Sequence, residues 1–218
     1  LDLKPTRSWL WEAEVNNTQN PDFGVIQGDV SLMNQNLLGF GDTLRGRFRF
    51  TEGVNSSRIA YSIPFNGGQQ ELFFRKSDND VSIISDLEGL SVSSVADTFS
   101  TGISLRLADG VSERLVLGLR LDFRDSQTFL NGEPFAFNLG TLADNGETQV
   151  RVLRLSGTYS KRGANYTLRA RSRFSFGLDW FGATENEFDF DGSFVSWLGT
   201  LQYVKQVNEN WRFSSELA

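Results

Sequence analysis

The stretch Tyr166-Thr167-Leu168-Arg169-Ala170-Arg171-Ser172-Arg173-Phe174-Ser175-Phe176-Gly177-Leu178-Asp179-Trp180 decides the fold class. Every second residue, from Tyr166 through Leu168, Ala170, Phe174, Phe176 and Leu178 to Trp180, is mostly apolar. The positions between them are Arg169, Arg171, Arg173, Ser175, Gly177 and Asp179. A period of two sends alternate side chains to opposite faces of a β-strand, and no helix sorts residues this way. The same alternation separates Leu44, Phe48 and Phe50 from Arg45, Arg47 and Arg49. It recurs where Phe99, Ile103, Leu105 and Leu107 oppose Ser104 and Arg106, and where Leu115, Leu117, Leu119, Leu121 and Phe123 oppose Arg114, Arg120, Asp122 and Arg124.

Further strands are expected at 9–17, 24–33, 57–65, 69–76, 149–160, 194–205 and 210–218, the first two and 69–76 being the least regular, eleven strands in all. Tight turns fall at 66–68, 108–111, 161–164 and 206–209, and longer polar segments at 18–23, 52–56, 77–97, 125–148 and 182–193. Short turns alternating with long loops are the mark of an up-and-down membrane barrel with periplasmic turns and external loops. The connection Asn34 to Asp42 departs from this, being long and apolar for a periplasmic turn.

Alternation alone also suits a soluble sandwich. The polar face argues otherwise, because it carries arginine, serine, glycine and glutamine where a water-facing surface would carry lysine and glutamate. The chain holds four lysines against seventeen arginines. The apolar parity is free of charge in mid-strand, and Lys76, Arg151 and Lys205 fall on it towards expected strand ends, as a bilayer requires when a midplane charge costs about 2–4 kcal/mol. Aromatic residues near strand ends, among them Trp9, Trp11, Tyr61, Phe65, Trp180, Trp197, Tyr203 and Trp211, fit interfacial girdles.

The expected lumen wall is therefore Arg45, Arg47, Arg49, Arg106, Arg120, Asp122, Arg154, Arg169, Arg171, Arg173 and Asp179. The expected lipid face is Phe48, Phe50, Ile103, Leu105, Leu117, Leu119, Leu121, Leu168, Phe174, Phe176, Leu178, Trp197, Leu201 and Phe213. Arginine at Leu119 or Phe176 should block assembly, and arginine at Ser104 should be tolerated.

Chemistry is sparse. Histidine and cysteine are absent, which removes imidazole bases, thiol nucleophiles and the usual zinc and haem ligands. A net charge of -6 argues against nucleic-acid binding. Asp78-Asn79-Asp80 lacks the spaced ligands of a calcium loop, and Glu185, Glu187, Asp189 and Asp191 read as loop charge. Gly39-Phe40-Gly41 lacks the strand-to-helix setting of a nucleotide site. We expect no catalysis, no metal, no cofactor and no nucleotide. The opening Leu1-Asp2-Leu3-Lys4 reads as the start of an excised piece of a longer precursor.

Asn36-Leu37-Leu38-Gly39-Phe40-Gly41-Asp42, Gly132-Glu133-Pro134-Phe135, the run Arg173 to Asp179 with Gly182-Ala183-Thr184, and the run Asp191 to Val204 together resemble the haemolysin-activator family, the TpsB transporters of two-partner secretion. Their order and spacing carry the likeness from about Trp9 onward, and the variant is similar to cyanobacterial members. The resemblance implies an outer-membrane barrel of sixteen strands in the BamA-like superfamily, of which residues 9–218 would be the N-terminal two-thirds. It implies preceding POTRA domains, with residues 1–8 as the exit from the last of them. It also implies an unfolded, TpsA-like exoprotein as partner, transport without nucleotide, and an inward-folding Val-Arg-Gly-Tyr loop after Ala218. The long 34–42 turn becomes a family feature. The alternatives are a BamA-like assembly factor, a passive porin and a soluble β-sandwich.

Overall fold

The computed structural model describes residues 9–83, 90–137, 145–180, 182–184, 193–209 and 211–217. They form one antiparallel sheet: β1 (Trp9–Asn16), β2 (Gln27–Gln35), β3 (Thr43–Phe50), β4 (Val54–Phe65), β5 (Gln70–Ser82), β6 (Val92–Asp109), β7 (Glu113–Leu130), β8 (Glu133–Pro134), β9 (Glu147–Arg162), β10 (Tyr166–Gly177), β11 (Val195–Gln206) and β12 (Arg212–Leu217). Each long strand pairs with its neighbours in sequence, and β8 is a two-residue return on β7. The sheet does not close on itself, since β1 and β12 each have a single partner.

The eleven expected strands are all present, with different ends. β5 runs on to Ser82, β6 starts at Val92 and β7 reaches Leu130, so much of the loops expected at 77–97 and 125–148 is strand. Those extensions carry polar residues on both faces, as in Asp78-Asn79-Asp80 and Asp125-Ser126-Gln127, which erases the hydrophobic period while the ladder of backbone bonds continues. Asp78-Asn79-Asp80 is accordingly not a loop at all. β10 ends earlier than expected, at Gly177. Leu178 still donates its amide to Arg151 O (2.9 Å), but Asp179 and Trp180 belong to the connection that follows. Glu185, Glu187, Asp189 and Asp191 lie outside the described residues.

The interior of this sheet protein is inverted relative to a water-soluble domain. Among the described residues Val152 is the one buried hydrophobic side chain, while Asp29, Asn34, Asp42, Ser77, Ser100, Asp122, Arg151 and Ser175 are buried polar ones. Among the described residues no second sheet or helical layer covers the apolar face, and leucines, phenylalanines and tryptophans stand exposed along it.

The long β2–β3 turn is held by Asp42, which is fully buried (0% exposed). Its carboxylate accepts from the Leu38 amide (3.1 Å), the Phe40 amide (3.3 Å) and the Tyr61 hydroxyl (3.0 Å). Gly39 and Gly41 supply the positive φ angles (89° and 73°) that let the chain wrap the carboxylate. This leaves Leu37, Leu38 and Phe40 on the outside of a rigid turn. Burial pushes the Asp42 pKa up, but the hydrogen bonds from Leu38, Tyr61 and Phe40 outweigh it and hold the carboxyl below the usual aspartate value. A depressed folded pKa contributes stability above the unfolded value that is lost as pH falls through the folded one. The turn should therefore keep its order until the pH drops below the ordinary aspartate range. Asp42→Ala should instead open it at neutral pH, read as faster chymotryptic cleavage after Leu38 and Phe40. Equal cleavage of variant and parent would disprove this role for Asp42.

Candidate functional site

In an antiparallel ladder, directly paired residues share a face. Arg45 pairs with Ala60, then Arg75, Ser100, Asp122, Val152 and Gly177 along one row. The next row holds Arg47, Arg58, Ser77, Thr98, Arg124 and Val150. Propagated across the sheet, this register puts Arg45, Arg47, Arg49, Arg106, Arg120, Asp122, Arg154, Arg169, Arg171 and Arg173 on one face. Phe48, Phe50, Ile103, Leu105, Leu117, Leu119, Leu121, Leu168, Phe174, Phe176, Trp197, Leu201 and Phe213 share the other. Asp179 and Leu178 fall outside β10, and Leu107 occupies a bulge between Arg106 and Ala108.

The apolar face carries a band bounded by polar and charged residues. Phe50 is the last apolar residue of β3, and its row continues as Asn55, Asp80, Val95, Gln127 and Glu147. On β6 and β7 the last apolar residues before the charges Asp97 and Asp125 are Phe99 and Phe123, one row below Phe48 and two below Phe50. On β9 the edge is Leu153, below Arg151. On β4 the edge is Ile59 and on β5 Phe74, below Lys76, so from β4 to β9 it keeps to two adjacent rows of the face. Along β7 the band spans Leu115 to Phe123 and along β10 Tyr166 to Phe176, roughly the 9–11 residues a tilted strand needs to cross a bilayer.

On the opposite face, two aspartates organise part of the arginine field. Asp29 accepts from Arg47 Nε (2.9 Å) and Nη2 (2.8 Å) and from Arg49 Nε (3.2 Å). Asp122, only 5% exposed, accepts from Arg120 Nε (3.0 Å) and contacts the Arg154 guanidinium. Arg106 donates to Gly68 O (2.7 Å) and meets Glu71 at 3.4 Å. The pairs hold guanidiniums in place while leaving other arginines of this face without a carboxylate among the described residues.

Two clefts are sunk into this face. One, of about 700 Å³, is lined by Glu12, Arg45, Arg47, Arg58 and Arg75, and the other, of about 530 Å³, by Arg58, Arg75, Arg120, Asp122, Arg124 and Arg154. Arg58 and Arg75, which border both, were absent from the sequence-based list. Their strands are irregular at the sequence level: Lys76 interrupts the apolar parity of β5, and Ala60 and Phe73 blur the polar parity around them. Only the ladder to β3 assigns them a face.

A family model described as haemolysin secretion/activation protein ShlB/FhaC/HecB matches residues 1–218. The chain belongs to this family. Among solved structures, this ShlB/FhaC/HecB-family chain is similar to CdiB from Escherichia coli, with a TM-score of 0.79 at 15% identity over 98% of this chain and 40% of that one. It is also similar to CdiB from Acinetobacter baumannii, with a TM-score of 0.61 at 15% identity over 95% and 38% of the respective chains. BamA from Haemophilus ducreyi lacking POTRA domains 1–3 follows, with a TM-score of 0.55 at 12% identity over 98% of this chain and 41% of that one. The chain thus spans about two-fifths of the length of these proteins. No curated sequence matches it.

Proposed function

We propose that this chain is part of an outer-membrane pore that passes an unfolded, TpsA-like exoprotein to the cell surface or medium by two-partner secretion. The observation that carries the reading is the single-layered sheet with one apolar and one arginine-rich face. A sheet with no covering layer among the described residues needs lipid on its apolar side, and the band's length along β7 and β10 matches a bilayer crossing. Membership of the haemolysin secretion/activation family supports the transport role.

In this reading the arginine face lines the lumen and the apolar face meets lipid. Unpaired edges are prohibitive in hydrocarbon, so β1 and β12 would be closed by further strands towards a total of sixteen. Residues 9–218 would then be the N-terminal part of the barrel and residues 1–8 the exit from a POTRA domain. The likeness to cyanobacterial members supports a cyanobacterial outer membrane as its location. The reading assigns no catalytic role, cofactor or nucleotide.

A BamA-like assembly role is the second reading, favoured by the likeness to BamA, but the likeness to CdiB is greater. Deleting the full-length gene separates them. Loss of a single large exoprotein from the medium, with the other outer-membrane proteins unchanged, is the expected result. Undiminished secretion, or general loss of outer-membrane proteins, would overturn the transport reading.

A further inference from the structure

We propose, building on that transport reading, that Arg58 and Arg75 form a binding site for carboxylate side chains of acidic, extended polypeptide moving along the arginine face. The two residues lie on neighbouring strands at the ridge between the two clefts, so a chain crossing from one cleft to the other passes over both. Their surroundings separate them from the arginines that serve the fold. Asp29 neutralises Arg47 and Arg49, and Asp122 neutralises Arg120 and Arg154. Among the described residues, Arg58 and Arg75 have no carboxylate within salt-bridge distance. The Arg75 guanidinium lies 6.0 Å from the Phe73 ring centre, and its buried Nε has no hydrogen-bond acceptor.

The register makes this costly for the isolated sheet. Arg58 stands directly opposite Arg47, and like charges in that position destabilise strand pairing. An acceptor from outside the sheet would relieve both the repulsion and the orphaned donor. Around the two guanidiniums the face carries small side chains, namely Ala60, Ser77, Thr98 and Ser100, which leave room for a guest. Guanidinium forks suit carboxylates in bidentate geometry. The cations do not form one point. Arg45, Arg58, Arg75 and Arg124 stretch from β3 to β7, about 19 Å at a strand spacing of about 4.8 Å. That span fits alternate side chains of an extended segment, which recur about every 6.6 Å, and exceeds any single small anion.

The test uses the purified full-length protein in detergent at low ionic strength, with fluorescein-labelled peptides alternating serine with glutamate, glutamine or lysine. Fluorescence anisotropy should show binding of the glutamate peptide alone, weakened by added salt. R58Q/R75Q should weaken it by about tenfold or more, while R58K/R75K keeps part of the affinity. Heat-modifiable gel mobility would establish that both variants are assembled. Unchanged affinity in assembled R58Q/R75Q, equal binding of the glutamine peptide, or displacement by equimolar inorganic phosphate would overturn the site. Those outcomes leave the deletion experiment untouched, so the site and the transport reading fail separately.

Discussion

Leu119→Arg in the full-length protein should abolish outer-membrane assembly, leaving the chain to degradation or inclusion in aggregates. Leu119 stands in a row that is apolar on every strand it crosses: Ile63, Leu72, Ile103, Leu119, Leu155, Phe174 and Trp197. It is also midway along the β7 part of the band, between Leu115 and Phe123. An arginine at such a depth costs about 2–4 kcal/mol, falling to about 0–1 near the interfaces. Phe176, equally apolar in the sequence, sits at the upper limit of the band on β10, one residue before the strand ends. Phe176→Arg should therefore assemble with a modest deficit, and Ser104→Arg, on the other face opposite Gly118, should assemble normally. Heat-modifiable mobility of protein recovered from outer membranes reads all three. Equal recovery of the three variants would refute the assignment of faces and the depth scale together.

Asp122→Ala should produce the largest loss of stability on the arginine face. Arg120 and Arg154 are directly opposed across β7 and β9, and the same Asp122 carboxylate neutralises both. Removing it leaves two half-buried guanidiniums facing each other without a counter-ion, a change of about 3–5 kcal/mol for buried pairs. Asp29→Ala, whose partners Arg47 and Arg49 are largely exposed at 55% and 40%, should cost about 1 kcal/mol or less. Urea unfolding of the detergent-solubilised full-length protein measures both. Adding Arg120→Gln to Asp122→Ala should restore part of the loss, because it removes the repulsion. If the double variant is as unstable as the single one, Asp122 does not act by separating those charges.

The deciding stretch at 166–180 was legible because burial on one face imposes a period of two, and a period is visible one residue at a time. The same is true of 44–50, 99–106 and 114–124, each of which is a strand. The pattern fails where neither face carries a contrast. The outer reaches of β5, β6 and β7 are polar on both sides, and their strands persist because backbone hydrogen bonds continue whatever the side chains. Arg58 and Arg75 were hidden for the same reason, since Ala60, Phe73 and Lys76 interrupt the alternation about them.

What the sequence by itself determined was local: which residues alternate, where turns are possible, and that the chain lacks the side chains of most enzyme chemistry. Register decided everything that depends on neighbours. It placed Asp29 and Asp122 between pairs of arginines, left Arg58 facing Arg47 without a carboxylate of its own among the described residues, and lined up apolar residues of neighbouring strands into one band. Strand alternation is a property of one chain segment, whereas depth in a bilayer and neutralisation of a charge depend on which segment lies alongside, and that is settled by hydrogen-bonded pairing between residues far apart in sequence.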